Sequence, residues 1–218
     1  ELLRRADFQP SEKEGSLAVW EGDVQAGEKI EFLVPHEGTN HQEGAIVPVT
    51  AQAGMSAIPL GGLELMRCFK QKLPVPVVTD DGERLLEIWV PTLGAYTINK
   101  ASTFSARREH PGGGNPKRAK DLLYLRDLMA AGPEVVARIE SDLADMTRGG
   151  AMRKPAQEKI RYARNALDLA LTGAMRRVLP EVAIMLVVRE PTFTDATATA
   201  DITGHLTDLL DVLSDHAG

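Results

Sequence analysis

Pro91 divides this sequence into two parts that cannot share one kind of secondary structure. Before it, apolar residues alternate in short runs broken by Gly and Pro. After it, they recur at spacings of three and four. Alternation puts residues i and i+2 on one face of a strand, whereas spacings of three and four line one face of a helix. The sequence therefore predicts an α+β protein: a small mixed β-sheet from the residues before about 91, followed by an α-helical C-terminal half.

Within the β part, residues 17–21 and 29–35 read as two strands joined by a turn-rich segment from Gly22 to Gly27. In the second strand Ile30, Phe32 and Val34 share one face and Glu31 and Leu33 the other. Residues 46–50 form a short β-rich run. Residues 57–72 satisfy neither period, and strand and helix both stay open there. Residues 74–78, the turn Asp80-Asp81-Gly82 and residues 85–90 read as a hairpin.

After Pro91 a helical pattern runs to about Arg108, and the loop His110-Pro-Gly-Gly-Gly-Asn115 follows. Asn115-Pro116 opens a second helix, because Asn accepts from orphan N–H groups and Pro at the first helical position has no N–H to orphan. Gly132-Pro133 closes that helix and opens the next, which Gly149-Gly150 breaks. From Pro155 an apolar stripe runs through Ile160, Ala163, Leu167, Ala170, Leu171, Ala174, Met175 and Val178, with Arg161, Arg164 and Asp168 off it. Residues 182–188 read as a short buried helix. A final amphipathic helix carries Ile202, Leu206, Leu209, Leu210 and Leu213.

The start of the second helix is unusual. Lys117, Arg118 and Lys120 follow its cap directly, where the helix dipole is positive and each exposed cation costs roughly 0.3–1 kcal/mol. An anion held there by backbone N–H groups and cations would offset that cost. Residues 97–127 carry seven Lys or Arg against three acids, on a chain whose net charge is −6. A basic patch on an acidic protein fits a phosphate-bearing small molecule or a narrow polynucleotide contact, and it excludes a generally basic nucleic-acid binder. The single cysteine, Cys68, excludes an intrachain disulfide and fits a reducing cytoplasm. No apolar run approaches the ~18 residues of a membrane span. His36, His41 and Glu43 fit no regular metal-ligand spacing, and Gly112–Gly114 lacks the Gly-Lys-Ser/Thr ending of a P-loop.

A lysine on the helix after a Val-Pro strand end (Lys100), arginines seven and eight residues on (Arg107, Arg108), and Lys117-Arg-Ala-Lys120-Asp121-Leu at the next helix start form one ordered set. From Glu1 to about Met129 the chain resembles the bacterial nucleotidyltransferase-like proteins that include the abortive-infection (AbiE-type) toxins. The resemblance implies a nucleotide-binding face made by Lys100, Arg107 or Arg108, Lys117 or Lys120, and Asp121, with Lys100 reaching the β- and γ-phosphates. It also implies Glu31 as the third catalytic, metal-binding carboxylate, Mg²⁺ as cofactor, an NTP as donor, and an RNA, protein or small molecule as acceptor.

That family carries two further acids in a Gly-Ser…Asp-x-Asp segment. The nearest match, Gly15-Ser16 with Asp23-Val24-Gln25, places Gln where the second acid belongs and reads as a hairpin. The opening residues Glu1-Leu-Leu-Arg-Arg-Ala-Asp-Phe-Gln9 resemble the segment after the family's first catalytic strands. The expectation is that the first two acids lie on a preceding segment or on a partner chain. Residues 1–132 then form the later portion of a nucleotidyltransferase-like domain, and residues 133–218 a helical domain that supports or oligomerises the protein. The alternative is a non-catalytic module of that fold, binding a partner or nucleic acid.

Overall fold

The computed structural model describes residues 9–11, 16–22, 29–35, 46–48, 56–60, 63–79, 82–107, 116–173 and 175–218. They divide into two compact units, residues 1–64 and residues 65–218. Among the described residues all strands end by Pro91, and apart from the short helix Leu63–Cys68 all helices follow it.

In the first unit β1 (Gln9–Ser11), β2 (Ser16–Glu21) and β3 (Lys29–Glu31) form an antiparallel sheet in that order. β4 (Leu33–Pro35), β5 (Val47–Pro48) and β6 (Ser56–Leu60) form a second, mixed sheet. β6 lies in its middle, parallel to β4 and antiparallel to β5. The strand expected over residues 29–35 is thus two strands in two sheets. It divides at Phe32, whose N–H still reaches back to the Ala18 carbonyl at 2.8 Å before the chain leaves β2. Ala18, Trp20, Val47 and Ala57 are the buried apolar residues among those described here.

The second unit opens with a short helix, α1 (Leu63–Cys68), which begins in the last residues of the first. This resolves the segment that satisfied neither period: strand β6 comes first and helix α1 second. A hairpin of two ten-residue strands follows, β7 (Lys70–Thr79) and β8 (Gly82–Pro91), in continuous register from Lys70–Pro91 to Thr79–Gly82. Gly82 closes the turn at φ +112°, a backbone region that favours glycine.

Six helices then form the core: α2 (Leu93–Ala106), α3 (Pro116–Ala130), α4 (Pro133–Arg148), α5 (Arg153–Thr172), α6 (Leu179–Arg189) and α7 (Asp195–His216). A 3₁₀ turn over Arg176–Val178 separates α5 from α6. α2 is central and packs on α3, α4 and α5. Thr92 caps it, accepting from Ala95 N–H. Its small residues let neighbours approach closely. A Cβ on Gly94 would lie 2.8 Å from the Cβ of Asp142 on α4. In that space Gly94 N–H donates to Asp142 Oδ2 at 3.1 Å, so a buried carboxylate from another helix serves the α2 N-terminus.

Ile160, Ala163, Leu167 and Ala170 of α5 are buried, as their stripe predicts. The helix stops at Thr172, before the end of that stripe, because Gly173 interrupts it. Arg161 is exposed, and Arg164 is half-buried with Nε donating to Ser214 Oγ on α7 at 3.1 Å. The expectation of a buried helix over 182–188 needs correcting. α6 buries Leu179, Val182, Ala183 and Leu186, but Ile184 is 57% and Val188 77% exposed. An unbroken apolar run has no period, and the helix it forms still has an outer face. α7 begins with a reciprocal Thr194–Thr197 capping box and buries Ile202, Leu206, Leu209 and Leu213. Among the described residues no helix is long and apolar enough to cross a membrane.

Candidate functional site

The buried ionic centre at the α2–α3 contact is Asp121, whose side chain is 3% exposed. A carboxylate removed from water to that extent must be paired and hydrogen-bonded. Lys100 Nζ donates to its Oδ1 at 3.1 Å, while Arg107 Nε at 2.7 Å and Thr103 Oγ1 at 3.4 Å donate to Oδ2. Lys100, Thr103 and Arg107 follow the i, i+3, i+7 spacing that lines one face of α2. The placement also suits both helix dipoles. Arg107 is the C-cap of α2, its backbone N–H bonded to the Thr103 carbonyl, and Asp121 lies in the second turn of α3.

Two tyrosines enclose the lysine. Lys100 Nζ lies 5.5 Å from the centre of the Tyr96 ring and 5.1 Å from that of Tyr124. Lys120 Nζ approaches the same Tyr124 ring at 5.6 Å, so the two ammonium groups share one aromatic platform. Burial, with the neighbouring Tyr124, Asp121 and Asp127, pushes the Tyr96 hydroxyl up to about 12. It therefore stays protonated through the neutral range and can still donate a hydrogen bond.

Of the residues expected to carry the chemistry, the structure brings Lys100, Arg107 and Asp121 into direct contact and sets Lys120 beside them on Tyr124. Lys117 is exposed in the first turn of α3. Arg118 between them turns inward, 6% exposed, with its guanidinium 5.1 Å from the Phe104 ring centre. Arg108 and Asn115 lie outside the described residues. Glu31 ends β3 opposite Val19 in the first unit, and its side chain is likewise outside the description. Tyr96, Thr103 and Tyr124 were not singled out from the sequence. Their signal was spacing alone: Tyr96 is four residues before Lys100, and Tyr124 three after Asp121.

The Asp121 cluster keeps donors in reserve. Its two direct cations face one carboxylate. Lys100 has one of three N–H donors on Asp121, and among the described residues neither terminal nitrogen of Arg107 has an acceptor. A second ionic group, further along α3, sets two arginines against three carboxylates. Arg126 donates through Nε to Asp201 and through Nη1 to Asp127 at 3.3 Å. Arg189 forks onto both Asp127 oxygens at 2.6 and 2.7 Å, and its Nη2 also reaches Glu190 at 2.8 Å. Burial alone would raise the Asp127 carboxyl, but Arg189 and Arg126 outweigh it and hold the group below the usual carboxylate range.

Among the described residues no three His, Cys, Asp or Glu side chains come together as a metal ligand set. No family model matches the chain, and no curated protein or solved structure matches it either.

Proposed function

We propose that Lys100, Arg107 and Lys120 hold the triphosphate of an NTP. In this reading the chain is a nucleotidyltransferase-like protein that passes a nucleotide to an RNA, protein or small-molecule acceptor. The observation that supports it is the donor surplus at Asp121: two cations on one buried carboxylate, with N–H groups that have no acceptor among the described residues and a third cation on the adjoining ring. Nucleotidyl transfer expels pyrophosphate, and cations fixed before the reaction stabilise its departing charge without reorganising. A guanidinium held by its Nε keeps the planar fork of its other nitrogens for phosphate oxygens. Asp121 orients both cations. Tyr96 adds a neutral hydroxyl at the same face.

Mg²⁺ belongs to this reading through Glu31 and further carboxylates. The described residues do not assemble such a set, so no step is drawn through the metal. One observation favours a second reading, a non-catalytic module of the same fold that binds nucleic acid or a partner. Lys100 and Arg107 already have a carboxylate, which serves binding as well as it serves catalysis.

Calorimetric titration with ATP at low and high salt tests the reading. Weak binding that fades with salt and disappears in the double variant K100E/K120E is expected. Binding that survives both high salt and the double variant places the nucleotide elsewhere. With labelled ATP and Mg²⁺, this chain alone is expected to bind without transferring label, since it lacks the Asp-x-Asp pair. Transfer restored by adding a chain that bears those acids favours the enzyme; binding without it favours the module.

A further inference from the structure

The β7–β8 hairpin has one protected edge and one open edge. Thr92 N–H donates to the Phe69 carbonyl at 2.9 Å, which makes residues 69 and 92 a hydrogen-bonded pair and sets the alternation of the pairs beyond it. In the observed register Gln71–Val90, Leu73–Ile88, Val75–Leu86 and Val77–Arg84 are then hydrogen-bonded pairs. Lys72–Trp89, Pro74–Glu87, Pro76–Leu85 and Val78–Glu83 are the others, and their backbone polar groups point to the outer edges. On β7 that edge contains Pro74 and Pro76, which have no N–H to offer an incoming strand. On β8 it presents the N–H and C=O groups of Glu83, Leu85, Glu87 and Trp89. Among the described residues β8 has no strand neighbour except β7.

The side chains along this edge are exposed as well. Leu85 is 73% and Trp89 58% exposed, and on the opposite face Leu86 is 53%, Leu73 46% and Ile88 37% exposed. A ten-residue strand with open backbone groups and exposed apolar side chains is a template for strand addition.

We propose that β8 pairs antiparallel with β8 of a second copy of this chain, about a two-fold axis through Leu86. The charges along the edge favour this register over axes at Leu85 and Glu87, and an axis at Ile88 would set Leu85 against Pro91, which has no N–H to pair. A two-fold axis at Leu85 would set Glu83 against Glu87 of the second copy, and an axis at Glu87 would set that residue against itself. Directly opposed like charges are destabilising. An axis at Leu86 sets Leu86 against Leu86, Leu85 against Glu87 and Glu83 against Trp89, with no like-charged pair opposed. Leu73, Val75, Leu86 and Ile88 of both copies then share one apolar face across four strands. The assembly also closes. Once the β8 edges are joined, only β7 edges remain outside, and their prolines refuse a further strand.

The test is the molar mass of the full chain in solution, measured by light scattering at micromolar concentration, for the wild type and two variants. Glu87→Pro places a proline directly across the ladder from Pro74, where it removes one outward N–H and no backbone bond of the hairpin, together with the exposed Lys72–Glu87 ion pair. Leu86→Cys, made with Cys68→Ser, puts two thiols at a non-hydrogen-bonded pair on the axis, within disulfide reach. The expected result is a wild type with the mass of two chains, a Glu87→Pro variant with half that mass and unchanged helix content, and a Leu86→Cys variant that oxidises to a covalent dimer. A wild type with the mass of one chain overturns the proposal. So does a dimer that survives Glu87→Pro, or one in which Leu86→Cys does not cross-link.

Discussion

Helix α3 carries two ionic groups of opposite character. Around Asp121, cations outnumber the carboxylate and, among the described residues, keep N–H donors without acceptors. Around Arg126 and Asp127, two arginines face three carboxylates, Asp127, Glu190 and Asp201, and both terminal nitrogens of Arg189 have acceptors. The first draws its members from two consecutive helices, the second from α3, α6 and α7. A closed network of mixed sign from distant parts of the chain fixes helix positions. In the reading proposed above, the cationic one holds an anion. Buried charge is therefore a poor marker of function by itself, and the balance of donors against acceptors tells the two groups apart.

The largest expected effect breaks the closed group. Arg126→Met leaves Asp201 with only His205 beside it and removes one of the two arginines at Asp127; both carboxylates are partly exposed, so the cost is about 1–3 kcal/mol, below that of a fully buried pair. Chemical denaturation should show that loss while triphosphate affinity stays unchanged. Loss of binding without loss of stability would reverse the roles assigned to the two groups.

Acid unfolding sharpens the contrast. Asp127 is held below the usual carboxylate range when folded, so its contribution is complete above the unfolded carboxyl pKa of about 4 and is lost as pH falls through the folded value. Arg189→Gln should flatten the acid limb of the stability–pH curve, as followed by urea midpoints. An unchanged acid limb would mean that Asp127 does not depend on that fork.

At the open group the predicted signature lies at high pH. The unfolded Tyr96 phenol titrates near 10 and the folded one near 12, so stability falls as pH rises through that window. Ultraviolet titration should show one late phenolate, absent from Tyr96→Phe. Should all the tyrosines ionise together, Tyr96 is not enclosed as described.

Lys120→Gln gives the smallest stability change, within about 0.5 kcal/mol, because the side chain is exposed. ATP affinity should nonetheless drop. Equal affinity in variant and wild type would exclude Lys120 from the site.

Local signals made the helical part readable. Pro91 followed by a Thr cap, Gly132-Pro133, and the stripe from Ile160 to Ala170 each act within one turn or one face. The divided strand at Phe32 was not readable, because its halves follow different partners in space. The end of α5 was obscured because Met175 and Val178 stay in phase with the stripe beyond Gly173. Lys100, Arg107 and Asp121 were legible through their charges and their order along the chain. Tyr96, Thr103 and Tyr124 share the same helix faces but carry no charge to mark them. The Arg126 group joins residues 75 positions apart, and no spacing rule reaches that far.

The most direct test of the open-versus-closed distinction is a matched pair of arginine variants titrated with inorganic tripolyphosphate by calorimetry. Arg107→Gln removes a guanidinium whose terminal nitrogens have no acceptor among the described residues, and Arg189→Gln removes one whose terminal nitrogens both have acceptors. Arg107→Gln is predicted to weaken binding about tenfold, the worth of roughly one charge-assisted hydrogen bond, and Arg189→Gln to leave it unchanged. Equal losses in the two variants, or a loss confined to Arg189→Gln, would contradict the account.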